Sequence, residues 1–92
     1  MMVRSQNKEL ITFLENIQVI KIRKDTDESV RIVFEYVEGS KTMGQYHSYQ
    51  VALKVLDMIQ KRYEEYETER IYKEGVFKIG TFQMPEDSEV EA

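Results

Sequence analysis

The side chains best placed to do chemistry are the single histidine His47 with Ser48 beside it, the carboxylates Asp25, Asp27 and Glu28, and the cations Lys21, Arg23, Lys24 and Arg31. A histidine next to a serine suggests general-base activation of a hydroxyl. His47, however, stands just before a helix start, where the positive helix end disfavours imidazolium. Ser48 occupies the place of a helix N-cap. There is no Gly-x-Ser-x-Gly elbow to expose a serine nucleophile. The plainer reading is preferred: a polar residue ends a strand and a cap starts a helix. With one histidine, a metal site built on two is impossible. With no cysteine, thiolate metal centres, disulfides and a cysteine nucleophile are excluded.

Asp25, Asp27 and Glu28 could hold calcium weakly. A calcium loop of the EF-hand type needs about twelve residues, with glycine at the sixth and glutamate at the twelfth, and this stretch runs instead into Val30 and Arg31. A solvated turn fits it better. Glu64, Glu65, Glu67 and Glu69 crowd a helix end where the dipole disfavours negative charge. They read as a wet face that could meet a basic partner.

Lys21, Arg23 and Lys24, with Arg31 opposite them across a hairpin, form the densest basic cluster. With Tyr36 and Tyr46 nearby it could serve as a single-stranded nucleic-acid platform, because aromatic rings stack on bases. The neighbouring acids cancel part of that charge, and Tyr36 falls on the core-facing side of its strand. Thirteen basic residues against seventeen acidic give a net charge of −4, which opposes binding driven by phosphate neutralisation. The aromatic signature of an RNA-recognition sheet is missing. Four glycines, at 39, 44, 75 and 80, are too scattered for a phosphate loop. Among the six tyrosines, Tyr63 and Tyr66 are the candidates for contact with a partner, since tyrosine is a frequent interface anchor.

These side chains are positioned by one helix and a set of strands. From about Ser48 to Tyr66, Ala52, Val55, Leu56, Ile59, Tyr63 and Tyr66 recur at three- and four-residue spacing, which predicts an amphipathic helix lying on a sheet. Leu56→Ala is expected to cost about 2–5 kcal/mol on that reading. Residues before Lys8 read as loosely held. Leu10 to Leu14 is a short apolar run, Glu15-Asn16 a turn, and Ile17 to Lys24 a strand rich in β-branched residues. Val30, Ile32, Phe34 and Tyr36 alternate with Arg31, Val33, Glu35 and Val37, the signature of a strand with one buried face. Glu38-Gly39-Ser40 turns the chain into a strand from Lys41 to His47.

The last strand is read from Val76 to Met84, with a bulge at Gly80 where the alternation changes phase. The fold expected is α+β, in the order β-β-β-β-α-β: a five-stranded, mainly antiparallel sheet with one long helix packed on one face. The last strand is placed antiparallel beside Leu10–Leu14 in preference to the alternative, beside the fourth strand through a right-handed parallel crossover. Residues 1–85 form one domain and 86–92 an acidic, disordered tail. At 92 residues the chain can bury a little under about 65% of its unfolded surface, enough for one core but not for a deep cleft as well. With no signal-peptide core and no run near the ~20 apolar residues of a membrane span, a cytoplasmic protein is expected.

Three stretches belong together: Met43-Gly44-Gln45-Tyr46-His47-Ser48, then Ala52 to Gln60, then Phe82-Gln83-Met84-Pro85. In this order they resemble small uncharacterised proteins of phages and integrated mobile elements of Gram-positive bacteria. Those proteins carry a Gly-x-Tyr-x-Ser strand end, an Ala-x-x-Val-Leu-Asp-x-Ile helix and a closing aromatic-x-Met-Pro. The resemblance implies an accessory role and supplies no catalytic residue. The expectation is a non-enzymatic protein acting through protein–protein contacts, without cofactor or metal. Strand addition at an exposed edge, including formation of a homodimer, is the interface considered. The alternative is the nucleic-acid module around Lys21, Arg23, Lys24 and Arg31.

Overall fold

Val30–Tyr36 is the strand on which the rest is built. Val30, Ile32 and Phe34 are buried on one side, as their alternation predicts. The computed structural model describes residues 1–25, 27–72 and 80–90. Its elements in chain order are β1 (Met2–Arg4), β2 (Ile11–Phe13), β3 (Val19–Lys24), β4 (Val30–Tyr36), β5 (Gly39–Tyr46), α1 (Tyr49–Tyr72) and β6 (Thr81–Gln83), with 3-10 turns at Leu14–Asn16 and Asp87–Glu89. The fold is α+β, with two three-stranded sheets that are mostly antiparallel, ordered β2-β1-β6 and β3-β4-β5. The expected single five-stranded sheet and its β-β-β-β-α-β order are therefore corrected.

The source of that error is the N-terminus. Residues 2–4, expected to be loose, form the central strand of the first sheet, and Met1, Val3 and Ser5 are all buried. Met2-Val3-Arg4 is too short to show a period of two, so its strand character comes only from its neighbours. β6 is antiparallel to β2 as expected, but β1 lies between them. The immediate neighbour of β6 is therefore β1, in parallel. Residues 73–79 lie outside the described residues, and with them the start expected for this strand, Val76, and the alternation at Phe77 and Ile79.

In the second sheet β3 and β5 flank β4 antiparallel, and Arg23 stands opposite Arg31 as the hairpin reading required. The bulge falls in β5: Ile32 faces Gly44, Val33 faces Thr42, and Met43 is the extra residue, which goes into the core. Val33, expected on a mixed face, is also buried.

The helix starts as expected, with the Ser48 hydroxyl accepting the Val51 N–H at 3.2 Å. It runs to Tyr72 rather than stopping near Tyr66, because Glu67 to Arg70 are adequate helix formers that need no apolar stripe. Val51, Ala52, Val55 and Ile59 are its buried positions, facing the sheet of β3, β4 and β5. Leu56 is only half-buried at the margin of that stripe, so its truncation costs less than first expected.

Within the acidic segment, Asp87–Glu89 form a 3-10 turn. Glu86 and Glu89 form a reciprocal capping box around the 3-10 turn, and Val90 packs into the core. The aliphatic–aromatic cluster of Val3, Ile32, Phe34, Tyr46, Val55, Met84 and Val90 thus draws on both ends of the chain. Fully burying each such side chain is worth about 1.5–3 kcal/mol.

A candidate contact surface

In the first sheet, Val3 and Thr12 turn toward the core, while Ile11 and Phe13 turn away from it. Ile11 is 59% exposed and Phe13 49%. Beside them on the same outer side lie half-buried Met2 and exposed Arg4, their opposite numbers on β1. The backbone alternates with the side chains. Ser5 N–H donates to the Leu10 carbonyl and Leu14 N–H to the Met1 carbonyl, each at 2.8 Å. This spacing turns the Thr12 groups inward to Val3 and leaves the N–H and C=O of Ile11 and Phe13 pointing off the open edge of β2. Thr12 is also occupied on the inner face, where its hydroxyl accepts the Tyr36 hydroxyl at 2.7 Å.

The other sheet edges are differently finished. Gln6 covers β5 over Met43–Gln45: its backbone N–H donates to the Met43 carbonyl, and its side-chain amide donates to and accepts from the Gln45 backbone at 3.0 and 2.8 Å. That amide stands in for a peptide group of a neighbouring strand and also reaches the Pro85 carbonyl at 3.2 Å. The β3 edge carries Lys21, Arg23 and Lys24, charges of the kind that keep edges apart. β6 presents Thr81 and Gln83, which are polar and exposed.

The basic cluster is divided by the pleat. Lys21, Arg23 and Arg31 share one face of the second sheet with buried Val33, while Lys24 belongs to the other and lies 5.5 Å from the Tyr49 ring centroid. Lys21 is ion-paired with Glu35. Arg31 is held by Asp25 at 2.9 Å. Arg23 makes no ion pair among the described residues. Both tyrosines enlisted for stacking turn inward: Tyr46 is buried, with its hydroxyl donating to the Pro85 carbonyl at 2.9 Å, and Tyr36 is half-buried against Thr12.

His47 meets a residue that sequence spacing does not bring to it. Its Nδ1 lies 2.8 Å from Asp87 Oδ1, and its backbone N–H donates to the same oxygen at 3.2 Å. Both side chains are exposed, and Ser48 is committed to its cap, so the pair ties the C-terminal segment to the strand end. Burial first, then the charges of Asp87, Glu86 and Glu89, push the Tyr46 phenol well above its ordinary pKa. Asp25 and Asp27 converge on the Ser29 hydroxyl, at 3.3 and 2.8 Å, and that bond to Asp27 lowers its carboxyl pKa. Glu28 carries the positive φ of 69° that closes the turn. Among the described residues, no group of three or more histidine, cysteine or acidic side chains is placed to hold a metal.

Tyr63 and Tyr66 are half-buried at the margin of the core, with ring centroids 6.2 Å apart. Tyr66 lies over Gly80, where a Cβ would come within 2.5 Å of its ring. The glycine is thus needed for close approach by a ring. Tyr63 lines a shallow groove with Leu14, Ile17 and Val19. The exposed pair Ile11–Phe13, on the open edge of β2, is the feature that the spacing of charges and tyrosines passes over. Its only sequence signal is two apolar residues flanking a threonine.

No family model, curated protein or solved structure matches the chain. No helix among the described residues is long and apolar enough to cross a membrane.

Proposed function

We propose that this chain is a non-enzymatic, cytoplasmic accessory protein, of phage or mobile-element origin as its resemblance implies, acting through protein–protein contacts. The observation that carries the reading is the uncharged edge of β2, unpaired among the described residues, where exposed Ile11 and Phe13 point their own backbone groups outward. An edge of this kind binds an added strand through its main chain and draws specificity from alternate side chains. Tyr63 and Tyr66, engaged with each other and with Gly80, are assigned to packing in this reading.

Photo-crosslinking tests it. A benzophenone side chain at position 13 should yield protein adducts in cells expressing the chain, and one at Thr42, an exposed position of β5 beside Arg31, should not. Nucleic-acid adducts from position 42 without protein adducts from position 13 would overturn the reading and favour the module built on Lys21, Arg23, Lys24 and Arg31.

A further inference from the structure

The open edge of β2 has a symmetry that selects its occupant. Ile11 and Phe13 present their backbone groups outward and Thr12 presents its groups inward, so a second antiparallel strand must pair with Ile11 and Phe13 together. A second copy of β2 does so about a two-fold axis at Thr12. Ile11 of each copy then stands opposite Phe13 of the other, and each such pair exchanges two backbone hydrogen bonds. Registers displaced by two residues leave one of the two residues opposite the turns, where Lys8 has a positive φ of 68° and Leu14–Asn16 is already a 3-10 turn. The side chains agree with the backbone. Both Ile11–Phe13 pairs fall on the outer face, where each joins an apolar side chain to an aromatic one at cross-strand distance. No charge lies within β2 to oppose its own copy, whereas a two-fold pairing of β3 would juxtapose Lys21, Arg23 and Lys24 with themselves.

Resting on the reading of β2 as a contact surface, we infer that its partner is a second copy of this chain, joined edge to edge into a continuous six-stranded sheet, β6-β1-β2 with its two-fold mate. The paired segment is three residues long with four apolar side chains at its centre. Three residues a side is short beside the roughly 20–30 of a standard interface, so the dimer is a weak one that forms with rising concentration.

Sedimentation velocity from about 10 µM to about 1 mM covers the range in which a small interface of this kind populates a dimer. The sedimentation coefficient should rise toward the dimer value. Ile11→Lys and Phe13→Lys should each weaken the association by about tenfold or more, since they bury a charge against an apolar neighbour. Met58→Lys, at a 40% exposed position of α1, which packs chiefly on the second sheet, should leave it unchanged. The double variant Ile11→Lys/Phe13→Glu sets opposite charges across the two-fold and should recover association relative to either single lysine variant. Circular dichroism spectra of the variants should match the parent, because these side chains are exposed in the monomer. A monomer throughout the range overturns the inference, as does a dimer indifferent to both lysine substitutions or a double variant no stronger than the singles. A monomer whose position 13 still crosslinks to a different protein would overturn only the second copy as occupant, leaving the contact surface itself standing.

Discussion

Gly44→Ala should destabilise the protein although position 44 has an ordinary backbone conformation for which alanine is suited. A Cβ on Gly44 would stand 2.8 Å from both Cε2 and Oη of Tyr46 and 3.1 Å from Cζ. The ring cannot move aside freely. It is 1% exposed in the core, and its hydroxyl is anchored on the Pro85 carbonyl at 2.9 Å. Displacing a packed side chain costs about 1–3 kcal/mol, and losing its hydrogen bond about 0.5–1.5 kcal/mol more. Against this, alanine restricts the unfolded chain and returns about 0.4–1 kcal/mol. The net loss is about 0.5–4 kcal/mol, and each kcal/mol lowers the Tm of a domain this size by about 4–8 °C. Urea denaturation followed by far-UV circular dichroism gives the value directly. A midpoint equal to or above that of the parent would refute the reasoning. In a Tyr46→Leu background, which lacks the three crowded ring atoms, the same substitution should lose most of its cost. A cost that persists there would mean that something other than the ring fills the space above Gly44.

Two further outcomes follow from burial and charge. Ile59→Ala should cost about 2–5 kcal/mol and Leu56→Ala less than about 2 kcal/mol, because Ile59 is 3% exposed and Leu56 only half-buried; the reverse order in urea melts would place the wrong face of α1 on the sheet. The raised Tyr46 pKa keeps its phenol neutral in the folded state, while in the unfolded chain it ionises near its ordinary value of 10.0. Its contribution to stability is therefore full below that pH and is lost as pH rises beyond it. Tyr46→Phe should flatten the alkaline limb of a stability–pH profile at a neutral-pH cost of about 0.5–1.5 kcal/mol, and an unchanged limb would count against the burial argument.

Much of the second sheet and the helix was legible in the residues alone. The alternation from Val30 to Tyr36 dictated one buried face, the hairpin placed Arg31 across from Arg23, and Ser48 marked the helix start. Each of these depends on neighbours within a few residues, where period and capping chemistry act directly. The candidate surface was hardly legible. Ile11-Thr12-Phe13 is three residues long, and its apolar pair looks like core until the strand beside it is known.

The amino-acid sequence by itself determined the class of fold, one helix over strands, and the absence of cysteine and histidine-pair chemistry. Tertiary structure alone decided that Met2–Arg4 becomes the central strand of a separate sheet, parallel to β6 from the far end of the chain. It also brought Asp87 to His47 and Val90 into the core. Pairings separated by most of the chain length leave no local period to read. Their stabilisation appears only once two distant segments share buried surface and backbone hydrogen bonds. The same long-range pairing sets which side of β2 is left open, and so turns two apolar residues into a surface for contact.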